Sequence, residues 1–361
     1  MTQSNTTISM TKVHNFSAGP SILAPEVIEA SIAGIQNFAG TTLSLLEVSH
    51  RSKEFVSVVE DAQVTIKSLL NIPEGYEILF LGGGASMQFL MLAYNLLEKK
   101  GAYTKTGVWA ANAVKEAKHL GLVEVIASSE DKNYNYIPKG YTIPSDADYF
   151  HCTSNNTIYG SQMKSFPESP IPMLCDMSSD ILSRQVDVSK FGLIYAGAQK
   201  NMGPAGVTVV IVRKDILGKV SRAIPSMMDY QVHIKSETMF NTPPVFPIFS
   251  MLQNLKWVQK MGGVDGMQKR AADRANLLYN EIDSNPLFKG TVEREDRSQM
   301  NACFLLTDET LAPKFDAVWK AAGISGIVGH RSVGGYRASM YNALPLESVQ
   351  ALVYVMRNFN A

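Results

Sequence analysis

Lys200 is the residue whose setting first suggests chemistry. It lies at the end of an apolar run, 191–199, and just before a turn that contains Gly203, Pro204 and Gly206. A lysine held partly out of water at a strand end can be neutral, and the neutral amine is the form that attacks a carbonyl carbon. Most lysines directly after strands are solvated, so this position alone makes Lys200 only a candidate nucleophile.

Asp176 offers that amine a chemical partner. The apolar residues 172–175 precede it at the end of another strand candidate, and open α/β sheets bind ligands at the carboxyl ends of their strands. A carboxylate and a lysine on nearby strand ends suit pyridoxal phosphate, whose aldehyde binds a lysine while its ring nitrogen needs an acidic partner. The alternative is that Asp176 caps a following helix through its side chain.

The stretch 80–89 reads as a strand, a glycine turn and the start of a helix. Backbone N–H groups and the helix dipole at such a start favour a phosphate, although glycine turns of this kind are common. The stretch matches neither GxGxxG nor GxxxxGK[ST], so nucleotide binding through those motifs loses support. Trp109, near another helix start, could stack on a planar ring, although a lone tryptophan more often belongs to the core.

Grouped cations provide a further candidate site. His50 with Arg51 and His330 with Arg331 form two His-Arg pairs, and Arg337 follows a glycine turn. Arginine side chains beside glycines can present planar forks to a carboxylate or a phosphate. One such pair is more often solvated surface, but two pairs and Arg337 in one chain point to a substrate with one or two anionic groups.

Composition limits the classes of function. The chain has 361 residues, with 33 basic and 33 acidic side chains, so no overall charge favours nucleic acid or an anionic membrane. Three cysteines without metal-ligand spacing predict unpaired thiols, no metal and a reducing compartment. Residues 1–12 are polar, and no apolar run is long enough to span a membrane. We therefore expect a cytoplasmic location and a disordered tail over residues 1–12.

The elements that must position these residues form an α/β pattern. Between residues 77 and 212, short and nearly continuous apolar runs alternate with helix-length segments, which indicates a mostly parallel sheet flanked by helices. The two runs around the Lys200 turn leave room for one antiparallel strand. Prolines in 241–250 predict an extended or turning segment. We expect a large domain over 13–261, whose first residues can pack with a smaller α+β domain over 262–361.

The motifs together resemble a known family. The stretches "NFSAGPSILAPEV", "LEVSHRSKEF", "DMSSDILSRQVDVSKFGLIYAGAQKNMGPAGVTVVIVRKD", "NTPPVFPI" and "VGGYRASMYNALPLE" are similar to those of the phosphoserine aminotransferases. That family lies in the class V branch of the fold-type-I pyridoxal-phosphate enzymes. The resemblance implies ping-pong transfer of an amino group from L-glutamate to 3-phosphohydroxypyruvate in serine biosynthesis. Related members also serve pyridoxine biosynthesis.

The resemblance also implies a role for each candidate residue. Lys200 would hold pyridoxal phosphate and move the proton, Asp176 would keep the ring nitrogen protonated, Trp109 would stack on the ring, and Thr157 would bind the phenolic oxygen. The phosphate would be bound by Ala85, Ser86 and Gln199, with Asn241 and Thr242 of the other subunit, so a homodimer with shared active sites is expected. The glycine turn, "GGGASMQ", lacks the arginine that some members carry there, which leaves helix N–H groups for the phosphate.

The substrate would be held by cations at both ends. The resemblance assigns the carboxylate beside the reacting carbon to Arg337. It assigns the distal anion to His50, Arg51, His330 and Arg331. That anion is the side-chain carboxylate of glutamate in one half-reaction and the phosphate of 3-phosphohydroxypyruvate in the other.

Other functions remain open at this point. Another class V enzyme, such as an alanine–glyoxylate type aminotransferase or a cysteine desulfurase, has the same fold, but a desulfurase needs an exposed nucleophilic cysteine. Cys152, Cys175 and Cys303 all lie in strand candidates. A protein that kept the fold only for binding or regulation would be expected to lose Lys200 or Asp176, and both are present.

Overall fold

Buried apolar runs between residues 76 and 213 form the main sheet. The computed structural model describes residues 13–360, so the predicted tail over 1–12 lies outside the described residues. Within this range the strands are β1 His14–Asn15, β2 Tyr76–Leu81, β3 Lys100–Lys105, β4 Leu122–Ser128, β5 Tyr149–Thr153, β6 Met173–Asp176, β7 Phe191–Gly197, β8 Thr208–Arg213, β9 Phe288–Gly290, β10 Asn301–Leu306, β11 Ile324–Ser325 and β12 Tyr336–Ser339. The α-helices are α1 Pro25–Gln36, α2 Lys53–Leu69, α3 Gly84–Leu96, α4 Val108–Ala117, α5 Tyr230–Lys235, α6 Val245–Lys260, α7 Gly263–Ser284, α8 Ala312–Ala321 and α9 Leu346–Arg357.

The strand order of the main sheet is β2-β8-β7-β6-β5-β3-β4. Neighbours from β7 to β4 are parallel, whereas β8 is antiparallel to both β7 and β2. The predicted α/β class, with a mostly parallel sheet and an antiparallel strand after the Lys200 turn, is confirmed. Because β5, β6 and β7 are parallel neighbours, Thr153, Asp176 and Gly197 end their strands at the same edge of the sheet.

Both faces of the sheet are covered by helices. Alternate strand residues such as Phe80 and Ile194 pack in one cluster with side chains of α2 and α6, while Leu79 and Leu193 pack in another with α3 and α4. This two-sided burial is why the strands read as continuous apolar runs. It holds the strand ends, and the side chains that follow them, in fixed positions.

The C-terminal part has its own sheet and core. Strands β12, β10 and β9 form an antiparallel sheet in that order, and side chains of α7, α8 and α9 pack on it. Phe16 belongs to this core, and β1 pairs with β11. The boundary between residues 261 and 262 stays a prediction, as does the division into two domains.

One local prediction from the sequence was wrong, and one strand was missed. Helix α6 begins at Val245 and contains Pro247, although the prolines of 241–250 predicted an extended or turning segment. A proline in the first helical turn loses no hydrogen bond, since the N–H groups there have no intrahelical acceptor. Strand β3 was not predicted. In residues 13–360 no helix is long and apolar enough to cross a membrane.

Candidate active site

Lys200 lies in the turn that follows β7, at the carboxyl edge of the sheet. Its Nζ donates a hydrogen bond to Oγ1 of Thr157 over 2.9 Å. The Ser21 hydroxyl donates a hydrogen bond to the carbonyl oxygen of Lys200 over 2.5 Å. Burial lowers the pKa of the amine to about 8, which the negative charge of Asp176 partly opposes and the positive charge of Arg337 reinforces. At neutral pH a usable fraction of this amine is therefore unprotonated.

Asp176 is the last residue of β6 and is 5% exposed. One oxygen accepts the Ser178 N–H over 2.9 Å. Burial raises the pKa of its carboxyl, and the charge of Lys200 acts in the opposite direction. Asp176 caps no α-helix, because residues 178–182 after it form a turn. The carboxylate is thus held near Lys200 in a polar position inside an otherwise apolar strand layer.

One cavity of about 350 Å³ brings most of the predicted residues together. It is open at the carboxyl edge of the main sheet, next to the C-terminal part of the chain. Predicted residues that line it are Ala85, Ser86, Trp109, Thr157, Asp176, Gln199, Lys200, His330 and Arg337. The cavity therefore combines an amine, a carboxylate, an aromatic ring, a helix N-terminus and a guanidinium group.

The glycine turn ends at this cavity. Gly83 and Gly84 have φ values of +86° and +67°, which glycine adopts without the steric cost other residues meet. They turn the chain from β2 into α3, so that Ala85 and Ser86 lie in the first helical turn and line the cavity. N–H groups of a first turn have no intrahelical acceptor and favour an anion. Gln199 lines the cavity beside Lys200.

Three polar groups at the cavity have no bonding partner within residues 13–360. They are Nε1 of Trp109, Oγ1 of Thr153 and Nε of Arg337, and all three atoms are buried. Arg337 donates through Nη1 to the Thr157 carbonyl oxygen over 3.3 Å. Buried donors without acceptors cost free energy unless a ligand or water accepts from them. The cavity thus presents donors suited to a ligand with anionic oxygens.

His330 and Arg331 occupy opposite sides of one loop. His330 lines the cavity, and burial lowers the pKa of its imidazole, with further lowering by the charges of Arg337 and Arg331. Arg331 is exposed and lines an adjoining cavity of about 550 Å³ together with Asp316. The structure therefore brings only one member of this predicted pair to Lys200.

Four further predicted residues lie away from this cavity. Arg51, Asn241 and Thr242 are exposed and His50 is half-buried, and none of the four is among the residues that line the cavity. Arg51 Nε lies 3.3 Å from Nε2 of His50. Their predicted roles at an active site stay predictions for a dimer.

Several residues of the site were missed by sequence reasoning. Gly19 lines the cavity, and a β-carbon added there would lie 3.7 Å from Cγ of Lys200, so this segment closes over the lysine. The stretch "SAGPS" around it was a possible signal. Asn155 also lines the cavity, and its amide donates to Ser179 and Asn301 over 2.8 Å each. No local motif marks such a network.

Among residues 13–360 the structure has no arrangement for metal binding or for catalysis by an exposed thiol. Over the described range no group of three or more His, Cys, Asp and Glu side chains is placed to hold a metal ion. Cys152, Cys175 and Cys303 are unpaired and buried. A cysteine nucleophile on an exposed loop is therefore lacking in this part of the chain.

The family model for aminotransferase class-V matches residues 13–352 of this chain. The chain belongs to this family. As a class-V aminotransferase it is a pyridoxal-phosphate-dependent enzyme, and the α/β architecture is that of fold type I, as predicted.

Individual relatives are similar over nearly the whole chain. The phosphoserine aminotransferase of Flavobacterium psychrophilum is 62% identical over 349 residues, which cover 96% of this chain and 98% of the relative. That of Parabacteroides distasonis is 59% identical over 350 residues, covering 96% and 99%.

Solved structures agree with these relatives. The phosphoserine aminotransferase of Bacillus circulans subsp. alkalophilus has a TM-score of 0.93 and 44% identity, covering 96% of this chain and 98% of that one. A PLP-bound phosphoserine aminotransferase of Trichomonas vaginalis has a TM-score of 0.91 and 37% identity, covering 96% and 100%. An alanine–glyoxylate aminotransferase of Nostoc sp. has a TM-score of 0.76 at 14% identity, covering 97% and 96%, a likeness of the fold alone.

Proposed function

We propose that this aminotransferase transfers the amino group of L-glutamate to 3-phosphohydroxypyruvate, giving 2-oxoglutarate and O-phospho-L-serine. The observation that carries the proposal is the shared cavity of Lys200, Asp176 and Arg337. The similarity to phosphoserine aminotransferases over 96% of the chain supports this choice of substrates. A second amine transfer, on a longer phosphorylated keto acid of pyridoxine biosynthesis, belongs to the same proposal.

The residues of the cavity fit pyridoxal phosphate. Lys200 matches the aldehyde, Asp176 the ring nitrogen and Trp109 the ring face, while Thr157 provides a hydroxyl for the phenolic oxygen. For the phosphate there are the N–H groups at the start of α3, with Ala85, Ser86 and Gln199.

When bound, pyridoxal phosphate would supply an electron-withdrawing ring that eases the loss of a proton from the reacting carbon, and an aldehyde that carries the amino group between the two substrates. Lys200 takes up and returns that proton at Nζ, since its lowered pKa lets the amine act as both base and acid near neutral pH. Asp176 would keep a proton on the ring nitrogen of the cofactor by its negative charge. Thr157 keeps the amine in place through the 2.9 Å hydrogen bond.

Arg337 orients both substrates. Each has a carboxylate next to the reacting carbon, and the guanidinium reaches into the cavity while Nη1 is fixed on the Thr157 carbonyl oxygen. Thr157 thereby sets the spacing between the substrate carboxylate and the Lys200 amine. A shared carboxylate site explains how one cavity serves two substrates in turn.

The distal anion is assigned to His330 and Arg331, together with His50 and Arg51. His330 already lines the cavity, and Arg331 follows it on the same loop. Since the other pair is remote from this cavity, we assign His50 and Arg51 to the site of the partner subunit in a homodimer. The proposed location is the cytoplasm, in keeping with three unpaired thiols.

Asn241 and Thr242 are assigned to the cofactor phosphate of the partner subunit. Both are exposed, and Phe240 beside them is 40% exposed. A large apolar side chain next to polar groups of this kind suits a surface covered by a second copy. Each dimer then contains two sites, and each site uses residues of both subunits.

The alternative is a class-V aminotransferase for unphosphorylated keto acids. A coupled assay with glutamate and 3-phosphohydroxypyruvate, run beside hydroxypyruvate, separates the two. We expect kcat/KM for the phosphorylated substrate to exceed that for hydroxypyruvate by at least about 100-fold, as loss of charge-assisted hydrogen bonds costs about 1.5–3 kcal/mol each. Equal rates would refute the proposed substrate.

A further inference from the structure

Thr238 lies in a strained turn between α5 and the exposed residues 240–242. Glu237 and Thr238 have φ values of +50° and +63°. A β-branched residue rarely adopts this left-handed conformation, and it persists only where the surroundings hold it. Thr238 is nevertheless 1% exposed. Some specific contact must therefore fix this turn.

The contact is a two-way hydrogen bond to the edge strand of the main sheet. The Phe80 N–H donates to Oγ1 of Thr238 over 2.6 Å, and the same hydroxyl donates to the Phe80 carbonyl oxygen over 3.1 Å. One side chain thereby satisfies both backbone groups that Phe80 presents at the free edge of β2. Because β2 is one strand of the seven-stranded main sheet, these hydrogen bonds tie the turn to that sheet.

The turn leads directly to the residues proposed to bind the partner's cofactor. Asn241 and Thr242 follow Thr238 by three and four positions and are exposed. Met239 donates its N–H to the Ser236 carbonyl oxygen over 2.8 Å, and the Phe240 ring contacts His233 edge-on at 5.8 Å between centroids. These contacts attach the segment to α5, while Thr238 attaches it to the sheet.

We propose that Thr238 is a positioning residue for the active site of the partner subunit. Through its hydrogen bonds to Phe80 it holds Asn241 and Thr242 in the position from which they reach the cofactor phosphate across the dimer interface. The inference rests on the proposed function, specifically on the shared-site homodimer. It goes beyond it by assigning the placement of these two residues to a side chain that contacts neither cofactor nor substrate.

Gln63 provides a matched control on the same strand edge. Its Nε2 donates to the Ile78 carbonyl oxygen over 2.8 Å, two residues from Phe80. Gln63→Met therefore removes a side-chain hydrogen bond from β2 while both hydrogen bonds between Thr238 and Phe80 remain. If Thr238 only protected the edge of the sheet, the Gln63 and Thr238 variants would change the Kd of pyridoxal phosphate to a similar extent.

The test measures the Kd of pyridoxal phosphate for the apoprotein by titration, together with thermal unfolding. We expect Thr238→Val to raise the Kd about tenfold, the effect of one phosphate hydrogen bond lost. Thr238→Ser should restore it and Gln63→Met should leave it within about twofold. Thr238→Gly, which relieves the positive φ, should give the same rise if the valine variant folds poorly. An unchanged Kd in the Val and Gly variants, or an equal rise in Gln63→Met, would overturn the inference.

Mixed dimers show in which subunit Thr238 acts. Lys200→Ala in one subunit leaves a single site competent for covalent binding, in the other subunit. Thr238→Val placed in the Lys200→Ala subunit should weaken cofactor binding at the remaining site, and placed in the subunit with native Lys200 it should not. The reverse pattern would refute action on the partner's site. A wild-type protein that binds no pyridoxal phosphate would instead refute the proposed function.

Discussion

Nζ of Lys200 lies 2.9 Å from Oγ1 of Thr157, the residue whose carbonyl oxygen also accepts Nη1 of Arg337 over 3.3 Å. Thr157 therefore connects the amine of the site with the guanidinium group that we propose binds the substrate carboxylate. Both cations bond to this one residue, so Thr157 sets the position of the Arg337 guanidinium relative to the Lys200 amine.

The pH at which Lys200 becomes reactive follows from its surroundings. Its pKa of about 8 means that the neutral amine increases as pH rises through 8. Covalent capture of pyridoxal phosphate by the apoprotein should accelerate with pH and level off above that value, as stopped-flow absorbance can measure. In Arg337→Leu the midpoint should move up, because the Arg337 charge lowers the pKa of Lys200. A midpoint of the capture rate near pH 10.5, the ordinary pKa of a lysine, would contradict the lowering of the Lys200 pKa by burial.

Asp176→Asn removes the buried negative charge while keeping the shape of the side chain. We expect the glutamate half-reaction to slow about 100-fold or more, since the ring nitrogen loses its acidic partner. The Lys200 pKa should fall further, because the Asp176 charge opposes its lowering. Single-turnover absorbance with glutamate measures the rate. A variant with wild-type rates would remove Asp176 from its role.

Arg337→Leu should weaken both half-reactions alike. Both substrates carry a carboxylate beside the reacting carbon, so kcat/KM for each should fall about 10- to 100-fold with the loss of a charged hydrogen bond. Arg213→Leu is the control, because Arg213 pairs with Asp215 at the surface. Unchanged glutamate kinetics in the Arg337 variant would show that this carboxylate binds elsewhere.

His330→Ala combined with Arg331→Ala tests recognition of the phosphate. We expect the ratio of kcat/KM for 3-phosphohydroxypyruvate to that for hydroxypyruvate to fall at least about tenfold, since only the first substrate has the distal dianion. Steady-state assays with both keto acids give the ratio. An equal loss on the two substrates would argue against phosphate binding by this loop.

The sequence predicted the centre of the site better than its periphery. Lys200 and Asp176 could be found because each ends a continuous apolar run, and parallel strands bring such ends to one edge. Strand β3 was missed because it has only four buried residues, which lie between Lys100 and Lys105. So short a run does not stand out in the sequence. The contact between Asn155 and Asn301 spans 146 residues of sequence and leaves no local pattern.

The directions of side chains on loops also could not be predicted from the sequence. His330 and Arg331 are adjacent in the sequence, yet they line different cavities, because a loop has no fixed periodicity to assign its faces. The start of α6 was misjudged since proline disfavours a helix interior but is tolerated in a first turn. Local chemistry was thus readable from the sequence, whereas loop orientation was not.

Reductive trapping of the cofactor tests the central role of Lys200 most directly. Borohydride treatment of the holoenzyme, followed by peptide mass spectrometry, should place the reduced pyridoxyl group on the peptide with Lys200. Lys200→Ala should carry no such group and show no turnover of glutamate with 3-phosphohydroxypyruvate. A pyridoxyl group on another lysine, or full activity in Lys200→Ala, would contradict the account.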